Sequence, residues 1–404
     1  MVRLLAYAGP ALMVSMAYID PGNYGTDIQG GASFGYALLW IVWLASGMAM
    51  LLQYLSGKLG IATEHSLPDL IRNKFKNRKA LIIPYWLAAE AAAAATDLAE
   101  YLGTVIALNL LFGIPMFYAA IFGALDVIVI LGLTTRKFRI LEQLFLLWIS
   151  IIGVGYVYEM IIIGPDPFAV FYASFVPVFP NSNAILVAVG VIGATVMPHA
   201  LFVHSWFTKN RAEGKSIEEK RRMLKLHLTE NVVLLTIAGL VNAAIMIMAA
   251  AAFYPKYSSI ASVAEAYRTL IPLFGMAAGT VFVVTLLFSG IASSVTGTLA
   301  GQAIMEGLLG KRINIWFRRF VTRFVNVVPT TIAILVGLDP LSILVYSQVI
   351  LSLMIPLPLI PLVMLTKDTK LMGAFVNKKK TTLLAVGFAA IIIAFDAYLL
   401  IQTV

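Results

Sequence analysis

Cysteine is absent from the 404 residues of this sequence. Its absence excludes disulfide frameworks, thiolate metal sites and cysteine nucleophiles. Charged residues are also scarce, at 12% of the chain against roughly 25% in soluble proteins. Because a soluble chain must cover its surface with charge, this deficit predicts an integral membrane protein. The hydrophobic share of 60% and the mean hydropathy of +0.91 point the same way.

Motifs of several functional classes are missing as well. The chain contains no GxxxxGK[ST] phosphate-binding loop, so we do not expect a self-contained ATP-driven pump. It contains no HExxH or GxSxG motif, which argues against an intramembrane enzyme. The first apolar stretch, Leu4 to Met16, is short and leads into Asp20 without a small-residue cleavage site, so we expect no signal peptide.

Long apolar stretches make up most of the chain. A helix needs about 20 apolar residues to cross the hydrocarbon core of a bilayer. On that criterion the sequence predicts an all-α protein with eleven membrane spans in one transmembrane domain, residues 1–404. The predicted spans are 4–30, 34–58, 82–112, 115–134, 139–163, 183–207, 228–253, 271–308, 320–337, 341–366 and 382–403.

Basic residues alternate between the predicted loops. The loops after spans 2, 4, 6, 8 and 10 hold 24 Lys and Arg residues, whereas the intervening loops hold only Lys256 and Arg268. Because cytoplasmic loops carry the basic excess, we expect a multi-pass plasma-membrane protein with its N-terminus in the cytoplasm and its C-terminus outside. Topology then explains the net charge of +9, and we expect no nucleic-acid partner.

Two spans are interrupted near their middle by residues that a continuous helix disfavours. Pro21 and Gly22 interrupt span 1, and Pro198 interrupts span 6. Each break frees backbone groups, which persist inside a membrane only where they are buried in protein or line a wet cavity. One break alone could be an ordinary proline kink. Two breaks in equivalent spans predict a binding site between them.

The breaks are separated by five spans. An odd number of spans inverts the second copy of a repeat relative to the first. We therefore expect inverted repeats of spans 1–5 and 6–10, at about 1–163 and 183–366, with discontinuous helices 1 and 6 at their interface. Span 11, residues 382–403, would be an addition.

Residues at the two breaks favour a divalent transition-metal ion as ligand. Asp20 is a carboxylate at membrane depth and is a functional candidate by default. Asn23 adds an amide oxygen about one turn away, and the freed carbonyls of Ala17 and Ala194 can add more oxygens. The Met197 thioether distinguishes between classes of divalent cation, because sulfur favours Mn²⁺ and Fe²⁺ over Ca²⁺ and Mg²⁺. Methionine is most often a core residue, and its place directly before a break sets this one apart.

Five segments of the sequence resemble the natural resistance-associated macrophage protein (Nramp) family of proton-coupled divalent metal transporters. In chain order they are AYIDPGNYGTDIQGGASFGY, AEAAAAATDLAEYLGTVIALNLLFGIP, GATVMPHALFVHS, TGTLAGQAIMEG and YSQVILSLMIP, and the resemblance extends over nearly the whole chain. It implies a LeuT-like fold and Gln348 of span 10 as a further metal ligand. The other ligands that it implies are Asp20, Asn23, Met197 and the carbonyls of Ala17 and Ala194.

We expect Mn²⁺ and Fe²⁺ as substrates, with Cd²⁺, Co²⁺ and Zn²⁺ as further candidates. We expect no cofactor, and we expect a monomer. Two positions depart from the family pattern. Ala200 stands where the family commonly has asparagine, and Ile291 stands where it commonly has glutamine. Neither belongs to the implied ligand set, so the departures concern conformational detail more than substrate class.

Ionisable side chains inside the spans form a second set. Glu90, Asp97 and Glu100 of span 3 are spaced by seven and three residues, which places them near one helical face. The other members are His199, His204 and Arg323, with Arg319 directly before span 9. Such sets are typical of proton relays, and the family resemblance associates Asp97, Glu100, His199 and Arg323 with proton movement. The alternative is a structural network of buried ion pairs that holds helices together, particularly Asp97 or Glu100 with Arg323.

Isolated acidic residues are assigned interfacial or helix-pairing roles. They are Asp126, Glu142, Glu159, Glu230 and Asp396. The charged run 212–225 is expected to be a solvated cytoplasmic loop with a short helix.

The leading hypothesis is a secondary transporter that imports divalent transition metals with protons, by alternating access around broken helices 1 and 6. A sodium- or proton-coupled amino acid carrier of the same fold is the alternative, since half-helix N-termini can hold a substrate carboxylate. An anionic substrate would sit poorly beside Asp20 and would need no thioether. A channel would require polar rings along several helices, whereas the polar groups here concentrate at two breaks.

Overall fold

Helices make up nearly all of the structure. The computed structural model describes residues 9–75, 79–125, 129, 132, 138–258 and 263–403, and within these it contains no β-strand. The helices are α1 (Pro10–Ser15), α2 (Pro21–Phe34), α3 (Leu39–Thr63), α4 (Leu67–Lys74), α5 (Lys79–Phe112), α6 (Met116–Gly123), α7 (Phe138–Ile163), α8 (Pro167–Phe175), α9 (Ser182–Val196), α10 (Pro198–Ala212), α11 (Ile217–Phe253), α12 (Val263–Phe274), α13 (Met276–Leu309), α14 (Ile315–Leu335), α15 (Pro340–Met354), α16 (Pro356–Thr366), α17 (Thr369–Met372) and α18 (Lys379–Thr403).

In the described part of the chain, eight helical stretches are long and apolar enough to cross a bilayer. The first, Pro21–Thr63, joins the second half of predicted span 1, after the break, to span 2 without a gap; the first half contains the shorter apolar stretch Pro10–Ile19. The other seven correspond to predicted spans 3, 5, 6, 7, 8, 10 and 11. The all-α membrane architecture predicted from the sequence is therefore confirmed.

Predicted spans 4 and 9 are not among these eight stretches. Span 9 corresponds to α14, which is 21 residues long but carries three arginines. Their side chains are turned into the protein, where Arg318, Arg319 and Arg323 are 8%, 3% and 1% exposed. Span 4 is described only as α6, and most of residues 124–134 lies outside the described residues.

Two of the helix boundaries that differ from the prediction have a clear local cause. Helix α11 begins at Ile217 rather than near residue 228, because a capping box starts it: Ser216 and Glu219 each accept the other's backbone N–H. Most of the charged run 212–225 is therefore helical. Helix α13 begins at Met276 rather than near 271, since Gly275, with a φ of 93°, separates it from α12.

Pro356 disturbs predicted span 10 without ending it. Helix α15 ends at Met354 and α16 begins at Pro356, whose nitrogen has no hydrogen to donate. Ile355 between them keeps helical backbone angles, with a φ of −56° and a ψ of −40°, and Pro340–Thr366 forms one apolar stretch. The span predicted at 341–366 is therefore continuous, with a local irregularity two turns beyond Gln348.

Glycines bring the broken helices close to their neighbours. A Cβ on Gly193 of α9 would lie 2.0 Å from the carbonyl oxygen of Gln348 in α15. A Cβ on Gly31 of α2 would lie 2.4 Å from the carbonyl oxygen of Met246 in α11. Because any side chain would collide with backbone there, both contacts require glycine.

The broken helices occupy the buried centre of the molecule. Every residue of α1 is buried, and the most apolar window of the α9–α10 stretch is 89% buried. The corresponding window of α18 is only 22% buried, so α18 lies at the periphery. This peripheral location agrees with a helix added to the two inverted repeats. The boundaries of the repeats stay a prediction.

Candidate metal-binding site

The break in span 1 is built by Asp20 and Pro21. A single 3₁₀ turn, Ala17–Ile19, follows α1, and Asp20 then adopts an extended backbone conformation as the N-cap of α2. Its carboxylate accepts the backbone N–H of Asn23 at 2.8 Å. Pro21 occupies the first position of α2, where no backbone donor is needed. The carboxylate thus lies at the positive end of a helix dipole.

Met197 forms the break in span 6. It joins α9 to α10 with a φ of 46° and a ψ of 103°, in the region that favours glycine. Such a conformation in a residue with a side chain costs about 1–3 kcal/mol and is most often kept at functional sites. Pro198 begins α10, so α9 cannot continue through it. The Met197 side chain is 0% exposed.

Asn23 connects the two breaks. Its Nδ2 donates to Asp20 Oδ1 at 2.8 Å and to the Ala194 carbonyl at 3.2 Å. The amide hydrogens therefore lie between two oxygens that would also suit a cation. Rotating the amide by about half a turn would turn its own oxygen toward the same place.

The second oxygen of Asp20 has no hydrogen-bond partner, although the residue is 0% exposed. A buried, unpartnered carboxylate oxygen is costly in an apolar interior and is where a cation is most strongly favoured. Gln348 supplies a similar atom: its Nε2 donates to Ser347 Oγ at 2.9 Å, while its Oε1 is buried without a partner.

Gly22 makes room for Gln348 beside the first break. A Cβ on residue 22 would lie 2.1 Å from Gln348 Nε2 and 2.8 Å from Oε1. The candidate ligand set thus draws on α2, α9, the Met197 break and α15. Within the described residues, no three His, Asp or Glu side chains come together as a metal cage. A metal at the breaks would therefore depend on mixed carboxylate, amide, carbonyl and thioether ligands.

Three residues that support the site were missed in the sequence. Asn242 of α11 donates to Asn23 Oδ1 at 3.1 Å and to the Tyr18 carbonyl at 3.0 Å. Thr195 donates to Asn23 Oδ1 at 3.3 Å, and Ser289 of α13 donates to the Ile19 carbonyl. The only sign of these residues in the sequence is that each is a polar residue within a long apolar stretch.

Asp97 is the centre of a buried ion-pair network between α5 and α14. Its Oδ1 accepts from Arg319 and lies 3.7 Å from Arg323 Nη1, and its Oδ2 accepts from Asn326 at 2.6 Å. Glu90 pairs with Arg318 at 2.6 Å. The ion pairs that the sequence analysis gave as the structural alternative are thus present, with Arg319 rather than Arg323 as the nearer partner of Asp97.

Glu100 belongs to the same helix but is not committed to an ion pair in this way. Both of its oxygens are buried without a hydrogen-bond partner, and a Cβ on Gly297 of α13 would lie 2.9 Å from Oε2. His199 faces this side too, since its Nδ1 lies 3.0 Å from Thr96 Oγ1 of α5.

His204 lies apart from these residues. It is five residues beyond His199 on α10, and five residues turn a helix by roughly 140° from the starting face. Its Nδ1 lies 2.8 Å from Gln53 Oε1 of α3. The predicted proton-pathway residues are therefore divided between the α5–α14 side and the α3–α11 side.

Most of the isolated acids tie helices together. Glu142 pairs with Arg211 at 3.1 Å, Glu230 accepts the backbone N–H groups of Gly9 and Leu12, and Asp396 accepts from Ser352 at 2.6 Å. Glu159 is buried with neither oxygen hydrogen-bonded. Asp126 lies outside the described residues.

Comparison with known proteins decides the family. The family model described as natural resistance-associated macrophage protein-like matches residues 11–402. The chain belongs to the Nramp family. One curated relative, the divalent metal cation transporter MntH of Granulibacter bethesdensis, is 44% identical over 399 residues, which cover 98% of this chain and 88% of the relative.

Solved structures agree with this assignment. The manganese transporter of Eremococcus coleocola, solved with an aromatic bis-isothiourea substituted compound, is 33% identical with a TM-score of 0.87. The match covers 97% of this chain and 85% of that one. MhsT, solved with L-phenylalanine, is 15% identical with a TM-score of 0.61, over 98% of each chain. At that identity the likeness concerns the fold alone, and it confirms the LeuT-like fold.

Gly22 provides a test of the role of Gln348. Replacing Gly22 by Ala should push the flexible end of Gln348 away from the break, so Gly22→Ala and Gln348→Ala should each weaken Mn²⁺ binding by about tenfold, or about 1.4 kcal/mol. Because both remove the same ligand, the double variant should be no weaker than either single one. Isothermal titration calorimetry on purified protein measures these affinities.

Gly47→Ala is the matched control, since a Cβ at Gly47 would meet nothing within 4 Å. Unchanged affinity in Gln348→Ala would exclude Gln348 as a ligand, and fully additive losses in the double variant would show that Gly22 does not act through Gln348.

Proposed function

We propose that this chain imports divalent transition-metal ions, with Mn²⁺ and Fe²⁺ as the leading substrates, by alternating access around the breaks at Asp20 and Met197. The observation that carries the proposal is the buried, unpartnered oxygen of Asp20 at the first break, which Asn23 connects to the Ala194 carbonyl, three residues before the strained, buried Met197 of the second break. Membership of the Nramp family and the printed names of its relatives support it.

The thioether argues for the substrate class. Sulfur contributes little to binding Ca²⁺ or Mg²⁺, which prefer oxygen ligands, and more to binding transition metals. Ligand identity does not rank Mn²⁺ against Fe²⁺, Co²⁺, Cd²⁺ or Zn²⁺, because geometry and availability decide among them. The transporting unit is proposed to be a monomer.

An amino acid carrier of the same fold remains the second candidate from sequence, and no observation favours it. A substrate carboxylate would have to lie beside Asp20, whose second oxygen already lacks a partner. Two anionic groups in contact in an apolar interior repel each other strongly.

Proton coupling is part of the proposal, and Glu100 is its centre. Asp97 is held by Arg319, Arg323 and Asn326, so it is poorly placed to take up a proton. Neither carboxylate oxygen of Glu100 accepts a hydrogen bond, so a proton could bind to either oxygen without breaking one. It lies three residues from Asp97 on α5, so a proton on Glu100 would be close to the ion-pair network.

Metal uptake tests the substrate assignment. In proteoliposomes, Asp20→Ala should abolish Mn²⁺ uptake because it removes the only carboxylate of the candidate ligand set. Met197→Ala should keep some Mn²⁺ uptake but let Ca²⁺ compete at a concentration about tenfold lower than in the native protein, because the ligand that disfavours Ca²⁺ is gone. Radioactive or fluorescent metal uptake measures both effects.

Met48→Ala is the matched control, since Met48 is equally buried but belongs to a different hydrophobic cluster, on α3. Unchanged Mn²⁺ transport in Asp20→Ala, or Ca²⁺ competition that is the same in Met197→Ala and Met48→Ala, would contradict the metal assignment.

Proton movement can be followed separately from metal movement. Glu100→Gln should keep metal uptake within severalfold of native but cut metal-driven acidification of the vesicle interior by about tenfold or more, because glutamine cannot take up a proton. A pH-sensitive dye inside the proteoliposomes reports this ratio. Glu159→Gln, a second buried carboxyl without a hydrogen bond, is the control and should leave the ratio unchanged. Equal ratios in the native and Glu100→Gln proteins would exclude Glu100 from the proton path.

Orientation in the plasma membrane is also a proposal, with the N-terminus in the cytoplasm and the C-terminus outside. The absence of cysteine makes it simple to test, because one introduced cysteine is the only thiol. Lys256→Cys should react with an impermeant maleimide in intact cells, whereas Lys215→Cys should react only after permeabilisation. The reverse pattern would invert the topology.

A further inference from the structure

Two histidines meet between α10 and α11, away from the breaks. The rings of His204 and His227 lie edge to face, with centroids 4.8 Å apart. Both side chains are buried, at 0% and 5% exposed. Neither belongs to the ion-pair network around Asp97, and His227 was not singled out in the sequence.

The contact of His204 with Gln53 uses one ring nitrogen and leaves the other. Its Nδ1 lies 2.8 Å from Gln53 Oε1, and the tautomer that donates to this oxygen carries its proton on Nδ1. The lone pair of the neutral ring is then on Nε2, which is buried and has no hydrogen-bond partner. This is how metal-binding histidines are usually held: the other ring nitrogen donates to an oxygen and orients the ligand.

His227 is held in the same manner with its nitrogens exchanged. Its Nε2 lies 3.4 Å from the Tyr54 carbonyl, an acceptor, and its ring stacks on that of Tyr54. The lone pair is then on Nδ1, which is also buried without a partner. Two neighbouring imidazoles therefore each present an unused lone pair in a dry interior.

Gly57 of α3 leaves the space that the pair occupies. A Cβ on residue 57 would lie 2.3 Å from His227 Nε2 and 3.2 Å from His204 Nε2. Any side chain at this position would displace the rings. The two imidazoles therefore lie side by side between three helices, in space that only a glycine at position 57 leaves free.

The location of the pair suggests when a metal would meet it. His204 is seven residues beyond Met197, or roughly 10 Å along α10, toward the loop at 213–216. His227 also lines a small cavity with Glu230, Arg211 and Thr208, where α1, α10 and α11 come together. In the proposed topology this is the cytoplasmic side, so the pair lies between the breaks and the inner surface.

We propose that His204 and His227 form a second, transient site for the transported metal on its way from the breaks to the cytoplasm. Imidazole nitrogen suits Fe²⁺, Co²⁺, Ni²⁺ and Zn²⁺ and is a poor ligand for Ca²⁺ and Mg²⁺. With no third His, Asp or Glu joining them in the described residues, two protein ligands hold an ion weakly. Weak binding is what a release route requires, since a tight site would retain the ion.

The inference rests on the proposed function, so its test uses binding rather than transport. Purified Asp20→Ala protein, whose site at the breaks is disabled, is titrated with Co²⁺ while the visible absorption of nitrogen-ligated cobalt is followed. One weak site is expected. Adding His204→Gln or His227→Gln to this background should weaken it at least tenfold, and adding Gly57→Ala should do the same by displacing the rings.

Two controls identify the source of the signal. Gly47→Ala, in the same helix as Gly57 but with open space around it, should leave the cobalt signal unchanged. His65→Gln removes a histidine outside the cluster, on the α3–α4 connection, and should also have no effect.

A cobalt signal that survives both His204→Gln and His227→Gln, or one that disappears with His65→Gln, would overturn the inference. Native protein that binds Co²⁺ at the pair but transports no Mn²⁺ would contradict the proposed function and leave the second site standing.

Discussion

The structure depends on one constraint: inside a membrane, every backbone group released from a helix and every polar side chain must find a partner within the protein. Breaking spans 1 and 6 releases such groups at the most buried point of the molecule. Asp20 satisfies one amide as an N-cap, Asn23 joins it to the Ala194 carbonyl, and Asn242 and Ser289 take up the carbonyls of Tyr18 and Ile19. The atoms left over, above all the second oxygen of Asp20, are those a cation would use.

Neighbouring helices can serve these atoms only because they come very close. Gly193 and Gly31 let α15 and α11 touch the broken helices backbone to backbone, and Gly22 lets Gln348 lie against the first break. Because these helices pack backbone to backbone, they cannot slide freely past one another. Opening the site to either side would therefore require the half-helices to move as units about their breaks, which is the movement expected of this fold.

Much of this could be predicted from the sequence, for local reasons. Proline and glycine mark the breaks directly, a carboxylate and an amide beside them mark the chemistry, and hydropathy marks the spans. The missing parts are long-range. Asn242 and Ser289 are ordinary polar residues until folding brings them to the carbonyls of span 1. Helix α11 began earlier than predicted because hydropathy does not register the capping box at Ser216 and Glu219.

The partners of the ionisable residues are also long-range and cannot be read from the sequence. The sequence shows that Glu90, Asp97 and Glu100 share a face of α5, but it does not show that Arg318 and Arg319 of α14 meet two of them. Nor does it show that Glu100 is left without a hydrogen bond. Proximity in sequence suggested that His199 and His204 belong together, whereas the helical turn between them directs one toward α5 and the other toward α3 and α11.

Locating the bound metal would test the central claim most directly. Crystals grown with Mn²⁺ and measured at the manganese absorption edge should give their strongest anomalous peak between the Asp20 carboxylate and the Met197 sulfur, within reach of Asn23 and the Ala194 carbonyl. A strongest peak elsewhere, such as beside Asp97 and Glu100, with no peak at the breaks, would contradict the account.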